Sequence, residues 1–264
     1  MPAADRPVPE GFRFLEWDSH HFGLRIARLL DPHLASAELR HALAAAEQAA
    51  LQLVYWPADP SQPVTADWFA PWSGFLADHK VVYRRSLRDW SPPTGTRDSG
   101  DFTLEEFPRG PATPELIALA IAAGEYSRFR RDQRLDPARF RALYEIWIER
   151  STHHELADVV LVASDPAGRT LGMATVSVAE GVGDIGLLAV QADCRGRGVG
   201  TRLVTQALAW MQRAGAGESH VVTQLDNLVA CRLYEQLGHV KHEVSALYHL
   251  WSPASPGPYA RPSS

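Results

Sequence analysis

The sequence has little cysteine and no long apolar segment. Its 264 residues include only Cys194 and Cys231, too few for a disulfide framework and at a spacing that matches no zinc-binding pattern. The longest apolar runs, such as residues 116–123, are far shorter than the ~20 residues that a membrane helix needs. The opening MPAADRPVPEG lacks the apolar core of a secretory signal. We therefore expect a cytoplasmic protein without disulfides and without a membrane partner.

An excess of basic residues is also missing. The chain has 26 Lys and Arg against 31 Asp and Glu, a net charge of −5, which argues against a protein that coats nucleic acid. Apolar residues make up 45% of the chain, which is typical of a globular protein. The histidine pairs fit no metal motif: His153-His154-Glu155 is followed by Asp158 where a zinc-protease motif needs His. We expect no nucleic-acid partner and no metal.

Residues 90–100 suggest a division of the chain. The segment reads WSPPTGTRDSG, and its proline, glycine and serine favour neither a helix nor a central strand. We predict a small N-terminal domain over residues 1–100 with its linker at 90–100, and a second domain over residues 101–252. The Pro/Ser-rich residues 253–264 are predicted to be a flexible tail.

Hydrophobic periodicity predicts a mixed α/β chain, mostly antiparallel at its start and ending in a β-loop-α-β-α core. Thr113-Pro114 and Asp136-Pro137 pair a capping residue with a first-turn proline, so each is expected to open a helix. Further helices are predicted over residues 35–52, 198–213 and 227–237. Strands are predicted over residues 12–30, 81–83, 159–163, 171–177, 185–190, 219–223 and 245–251.

The segment RGRGVG, residues 195–200, lies between a predicted strand and a predicted helix. Its glycines permit positive φ and close approach of a ligand, and free N–H groups at a helix start attract anions. A phosphate or pyrophosphate is the expected guest. No lysine follows as in a P-loop, and the third glycine comes one residue early for a dinucleotide fingerprint. A tight turn that binds nothing remains an alternative.

The Arg-x-x-Gly-x-Gly pattern of Arg195, Gly198 and Gly200 resembles the acetyl-CoA signature of the GNAT superfamily of N-acetyltransferases. A later segment, TQLDNLVACRLYEQLG, resembles that superfamily's second recurring segment through Asn227, Ala230, Tyr234 and Gly238. The resemblance covers residues 102–251. It implies the GNAT fold, a mixed and mostly antiparallel sheet flanked by helices, here with a smaller N-terminal α/β domain.

A narrower resemblance is to the TDP-fucosamine N-acetyltransferase group, which acetylates the 4-amine of a dTDP-linked 4-amino-4,6-dideoxy sugar. It is carried by EYSRFRRDQRLDPARFRALYEIWIERS, by GLLAV and by TQLDN…RLYEQLG, and LEWDSHHFGLRIARL extends it to residues 14–251. One departure is His239, where the superfamily usually has an aromatic residue.

These resemblances imply direct attack of an amine on the thioester of acetyl-CoA. The glycine loop would hold the pyrophosphate, the strand edge would pair with the pantetheine arm, and an N–H near Leu188 or Ala189 would meet the developing negative charge. The implied cofactor-binding residues are Leu188, Ala189, Val190, Arg195, Gly196, Arg197, Gly198, Val199, Gly200, Thr201, Asn227 and Ala230. Asn227 is also a candidate helix N-cap.

The resemblance makes Tyr234 the catalytic acid that protonates the departing thiolate; a packing tyrosine is the alternative. The base stays open between Asp184, which is also typical of a solvated turn, and a water relay. The cysteines are expected to be buried thiols and not acyl carriers.

Arg128, Arg130 and Arg131 are candidate ligands of a substrate diphosphate, with a solvated basic loop as the equal alternative. The expected partner is a small-molecule amine, a dTDP-amino sugar in the narrower resemblance, and a homodimer is left open. Two rival functions remain: acetylation of another small amine, and non-catalytic sensing of acyl-CoA.

Overall fold

A ten-stranded sheet organises residues 6–92 and 101–255, the parts of the chain that this computed structural model describes. The strands are β1 (Phe12–Phe14), β2 (Ile26–Leu29), β3 (Leu53–Ala58), β4 (Ser73–Ser86), β5 (Thr103–Glu106), β6 (Val159–Ser164), β7 (Thr170–Ala179), β8 (Val182–Val190), β9 (Glu218–Gln224) and β10 (Val240–Trp251). Their order is β1-β2-β3-β10-β4-β9-β8-β7-β6-β5. Only the pairs β2–β3 and β8–β9 are parallel within this sheet.

Helices cover both faces of the sheet. They are α1 (Glu16–Phe22), α2 (Ser36–Gln48), α3 (Pro114–Ala123), α4 (Arg128–Arg131), α5 (Pro137–Thr152), α6 (Val199–Arg213) and α7 (Leu228–Gln236). Because side chains alternate along a strand, each strand serves two cores. In β6, Leu161 packs in the core that includes α6 and α7, whereas Val160 packs with α3 and α5. The predicted mixed, mostly antiparallel sheet flanked by helices is confirmed.

Helix starts follow the capping chemistry read from the sequence. Thr113 accepts a hydrogen bond from Leu116 N–H at the start of α3, and Asp136 accepts one from Ala138 N–H at the start of α5. A proline occupies the first turn of both helices. None of the helices in residues 6–92 and 101–255 is long and apolar enough to cross a bilayer.

The continuous strand predicted over residues 12–30 is wrong in its middle, where α1 interrupts β1 and β2. Trp17 stacks on His21 one turn later, with ring centroids 4.7 Å apart. Gly23 ends the helix at φ +68°, a left-handed conformation that glycine adopts without strain.

The sheet is continuous across the predicted division at residues 90–100. Strand β4 precedes that segment, yet it pairs on one edge with β10 and on the other with β9. Residues 93–100 of the predicted linker and 256–264 of the predicted tail lie outside the described residues. The two-domain division stays a prediction.

Candidate active site

Strands β8 and β9 separate halfway along their length. Their parallel pairing runs from Val182–Glu218 to Ile185–Val221 and then stops, although β8 continues to Val190 and β9 to Gln224. Beyond Ile185 the facing edges of the two strands therefore form no ladder with each other. An extended chain that offers its own donors and acceptors fits between such edges.

A bulge in β8 helps to position the free half of that strand. Ala174 pairs with Leu188 but Val176 pairs with Ile185, so Thr175 faces two residues of β8. The Leu187 N–H donates to Thr175 Oγ1 at 2.8 Å. A Cβ at Gly186 would lie 2.9 Å from the same oxygen, so this close approach requires glycine.

The β7–β8 ladder decides which peptide groups of β8 face the gap. Gln191 N–H donates to Leu171 O at 2.8 Å, and hydrogen-bonded pairs alternate along an antiparallel ladder. The Met173–Ala189 pair is therefore a hydrogen-bonded one. The Ala189 N–H points to β7, whereas the Leu188 and Val190 peptide groups face the gap.

A cavity of about 410 Å³ opens at this gap. It lies on the sheet face covered by α1, α4 and α5. Neighbouring strands present side chains to it at matching register positions, such as Pro57 of β3, Leu247 of β10 and Asp78 of β4. Leu188 of β8 lines the end of the cavity at the gap.

Helix α7 brings three predicted site residues to the cavity. Asn227, Ala230 and Tyr234 all line it. Asn227 also caps the helix, since its side chain accepts a hydrogen bond from the Ala230 N–H. Both roles considered for Asn227 in the sequence are thus compatible with its position.

Tyr234 is 3% exposed and packs beside Tyr83, with ring centroids 6.0 Å apart. Burial raises the pKa of Tyr234, so its hydroxyl keeps its proton at neutral pH. Within the described residues, no hydrogen bond to this hydroxyl is found. A protonated phenol at the cavity wall is suited to donate a proton. His239 packs edge-on against the ring at 5.7 Å and so occupies the place where the superfamily usually has an aromatic residue.

The glycine loop lies outside the cavity lining, just beyond the end of β8. Gly196 and Gly198 have φ of +77° and +81°, and α6 begins directly after them. Arg202 N–H donates to Gly198 O, so the amides before Arg202 belong to the first turn, which a helix leaves without internal partners. Residues 195–198 and Thr201 are exposed, so a phosphate has access from solvent.

The three candidate arginines are in different surroundings. Arg128 lines the cavity, and its guanidinium lies 3.8 Å from the Tyr55 ring centroid and 4.0 Å from that of Phe129. Arg131 forms an ion pair with Asp226 at 2.5 Å, and Arg130 lies 5.9 Å from the Phe140 ring. Of the three, Arg128 alone lines the cavity.

Sequence reasoning missed most of the charged residues in the cavity, because they lie on strands and on α1 in the N-terminal part of the chain. Arg13, Arg28 and Lys80 supply positive charge, and Asp18 and Asp78 supply carboxylates.

Other candidates lie away from the cavity. Asp184 is exposed and outside the lining. Cys194 and Cys231 are buried free thiols, and the Cys231 sulfur lies 3.5 Å from Gln224 O. Among the described residues, no group of three or more His, Cys, Asp and Glu side chains is placed to hold a metal ion.

Comparison with known proteins gives consistent results. Residues 121–239 match the model of the Acetyltransferase (GNAT) family. A dTDP-fucosamine acetyltransferase of Escherichia coli is 31% identical over 148 residues, which are 56% of this chain and 61% of that protein. A mycothiol acetyltransferase of an Arthrobacter species is 29% identical over 94 residues, covering 33% of this chain and 29% of that protein.

Among solved structures, a GCN5-related N-acetyltransferase from Sphaerobacter thermophilus superposes with a TM-score of 0.57 at 16% identity, covering 90% of this chain and 75% of that one. This likeness shows the fold alone. The chain spans about three fifths of the length of the Escherichia coli relative and less than a third of the Arthrobacter one.

Proposed function

We propose that this protein transfers an acetyl group from acetyl-CoA to a small-molecule amine, on the premise that residues 121–239, which match the model of the Acetyltransferase (GNAT) family, act as that family does. The observation that carries the proposal is the gap between β8 and β9, which opens on a cavity lined by Tyr234 and Asn227. The amine attacks the thioester carbonyl directly, and no cysteine takes part.

The residues around the gap fit acetyl-CoA. The exposed loop of Arg195, Gly196, Arg197 and Gly198 leads into the first turn of α6, where the amides of Val199, Gly200 and Thr201 attract a pyrophosphate. The gap-facing peptides of Leu188 and Val190 pair with the pantetheine arm, while Ala189 keeps that edge attached to β7. Asn227 and Ala230 flank the arm from α7.

Two groups act on the charges that develop during transfer. The Leu188 N–H meets the carbonyl oxygen, where a preorganised donor contributes about 3 kcal/mol of transition-state stabilisation. Tyr234 gives its hydroxyl proton to the departing thiolate. The raised pKa of Tyr234 keeps the phenol protonated at neutral pH, so the proton is present when the thiolate forms.

The acceptor in this proposal is the amine of a dTDP-linked amino-deoxy sugar. Two observations support it: the similarity to a dTDP-fucosamine acetyltransferase, and the positive charge of Arg13, Arg28, Lys80 and Arg128 along the cavity. Such an array suits a diphosphate, which guanidinium groups bind through paired hydrogen bonds. In this proposal Arg130 and Arg131, which follow Arg128 on α4, add to the positive charge of that helix.

Thiol release from acetyl-CoA tests the function. The purified chain is given a panel of dTDP- and UDP-linked amino sugars and of neutral small amines. We expect the dTDP-amino sugars to have the highest kcat/KM. Acetylation of another amine alone would replace the acceptor. Binding of acetyl-CoA without acetylation of any amine would support an acyl-CoA sensor instead.

A further inference from the structure

Asp78 is a buried carboxylate in the wall of the candidate active site. It lies on β4, is 3% exposed and lines the cavity. Its Oδ1 atom has no hydrogen-bond partner among the described residues. A buried carboxylate oxygen without a donor is costly, so a donor from a bound molecule is expected there.

A second unpartnered group lies in the same wall. The Ser127 hydroxyl is buried, lines the cavity and also has no hydrogen-bond partner among the described residues. Ser127 directly precedes Arg128, whose backbone and guanidinium both act to lower the pKa of the Asp78 carboxyl and so lie near it. The two unsatisfied polar atoms therefore belong to one region of the wall, which points to a bound polar ligand.

Asp78 is also near the gap where transfer takes place. Lys80, two residues along the same face of β4, pairs with Gln224 at the end of β9. Asp78 therefore lies on the strand next to β9, which forms one side of the gap. Gln224 and Leu188 line the same cavity from either side of the gap.

The charges around Asp78 come from three elements. Lys80 lies on its own strand, Arg128 and Arg131 lie on α4, and the Tyr144 phenol lies on α5. Burial raises the pKa of Asp78 above its usual value, and the two arginines oppose that rise. The result is a carboxylate that is more basic than an exposed one.

We propose that Asp78 is the general base of the reaction, taking a proton from the ammonium group of the acceptor either directly or across one water molecule. This inference rests on the proposed acetyl transfer. Asp78 accepts one proton from R–NH₃⁺ and becomes a neutral carboxylic acid, which leaves R–NH₂ with a free electron pair. That pair forms the C–N bond as the C–S bond breaks.

The remaining protons balance without another reactant. The departing sulfur takes the Tyr234 hydroxyl proton and leaves as the thiol. The nitrogen of the new amide loses its surplus proton, which restores the Tyr234 hydroxyl. Asp78 releases its proton to solvent when the products leave, so one proton is released for each ammonium acetylated.

The test compares Asp78→Asn with Asp184→Asn. Asparagine keeps the size of the side chain and one acceptor oxygen, but it cannot take the proton. We expect kcat/KM to fall by about 10² to 10⁴-fold in Asp78→Asn, with acetyl-CoA affinity by calorimetry unchanged. Asp184→Asn removes the exposed carboxylate outside the cavity and is expected to keep wild-type turnover.

A second acceptor separates a base from a structural residue. An O-alkyl hydroxylamine analogue is already neutral at pH 7 and has no ammonium proton to lose. The loss in Asp78→Asn is expected to shrink to less than about tenfold with this acceptor. With the ammonium acceptor, the acid limb of the wild-type pH profile of kcat/KM is expected to reflect Asp78, whereas in the variant it is expected to follow the pKa of the acceptor's own amine.

Each outcome has one meaning. An equal loss with both acceptors, or weakened acetyl-CoA binding in Asp78→Asn, would assign a structural role to Asp78 and overturn the proposal. Wild-type activity in Asp78→Asn would overturn it as well. If the wild-type chain acetylates no amine, the proposed function itself fails, which is a different result from a fully active variant.

Discussion

His249 Nδ1 lies 2.6 Å from Asp132 Oδ2, and both side chains are closed to solvent. Trp251 Nε1 donates to the same carboxylate oxygen at 3.0 Å. Burial lowers the pKa of His249 to about 4, so the ring is neutral at pH 7. A neutral ring that donates from Nδ1 has Nε2 free as an acceptor, and Arg128 Nη1 lies 3.3 Å from it.

This arrangement holds Arg128 at the cavity wall. The Asp132 carboxylate contacts the His249 imidazole, which in turn contacts the Arg128 guanidinium. Each of these two contacts pairs a hydrogen-bond donor with an acceptor. The rings of Tyr55 and Phe129 confine the guanidinium on its flat sides. A cation held in this way is prepared to bind an anionic group of an acceptor at a low entropic cost.

The first prediction concerns His249→Asn. The asparagine amide keeps a donor for Asp132 but removes the acceptor for Arg128. We expect KM for an anionic acceptor such as a nucleotide-linked amino sugar to rise by about tenfold, a loss typical of one charge-assisted hydrogen bond, while kcat changes little. Steady-state kinetics with a neutral amine of similar reactivity provide the control. An equal rise in KM for both acceptors would show that His249 does not act through Arg128.

The second prediction concerns Tyr234→Phe. The change removes the hydroxyl and keeps the ring that packs against Tyr83. We expect kcat to fall at least about tenfold with little change in acetyl-CoA affinity, because a general acid acts after binding. Stopped assays of thiol release and calorimetry measure the two quantities. Unchanged turnover would leave Tyr234 as a packing residue.

The third prediction concerns Gly198→Val. Valine is strained at φ +81°, so the loop before α6 changes its backbone conformation and its amides no longer converge. We expect loss of acetyl-CoA binding by calorimetry. Gly215→Val is the matched control, because Gly215 has φ +89° and lies at the other end of α6. It is expected to lower stability and retain binding; loss of binding in both variants would trace the effect to stability alone.

The fourth prediction concerns stability against pH. His249 and His239 are buried, and burial lowers the pKa of each to about 4, from 6.5 when unfolded. Between these values the unfolded chain binds more protons, so the free energy of unfolding rises with pH from about 4 to 6.5 and then levels off. Each histidine contributes at most about 1.4 kcal/mol per pH unit.

Urea unfolding across pH 4 to 8 measures this slope. Replacing both histidines by glutamine is expected to flatten the curve relative to wild type, whatever the carboxylates contribute. An unchanged slope in the double variant would show that these histidines are not the titrating groups.

Much of the second half of the chain was predictable because its signals are local. The helix starts at Thr113 and Asp136 depend on side chains that cap their own helices. The apolar stripe of α6 and the strand β8 follow periodicity within one element. The glycines before α6 were informative for the same reason, since a positive φ is a property of a single residue.

Strands β3 and β4 were harder to predict. All six residues of β3 are buried, so it shows no polar alternation. In β4, Asp78 and Lys80 are polar because they line a cavity. The strand was therefore predicted only over residues 81–83, whereas β4 spans Ser73–Ser86. The polar residues that line the cavity thus interrupt the apolar pattern from which a strand is predicted.

The sequence by itself determined the glycine loop, the segment around Tyr234 and the neutral-to-acidic composition with few cysteines, because motif and composition are properties of the chain. Only the tertiary structure decided that Leu188, and not Ala189, offers its N–H to the gap, since that depends on pairing with β7. It also brought Asp78, Arg128 and His249 together from three distant segments. Such contacts depend on the order of strands in the sheet, which local patterns do not encode.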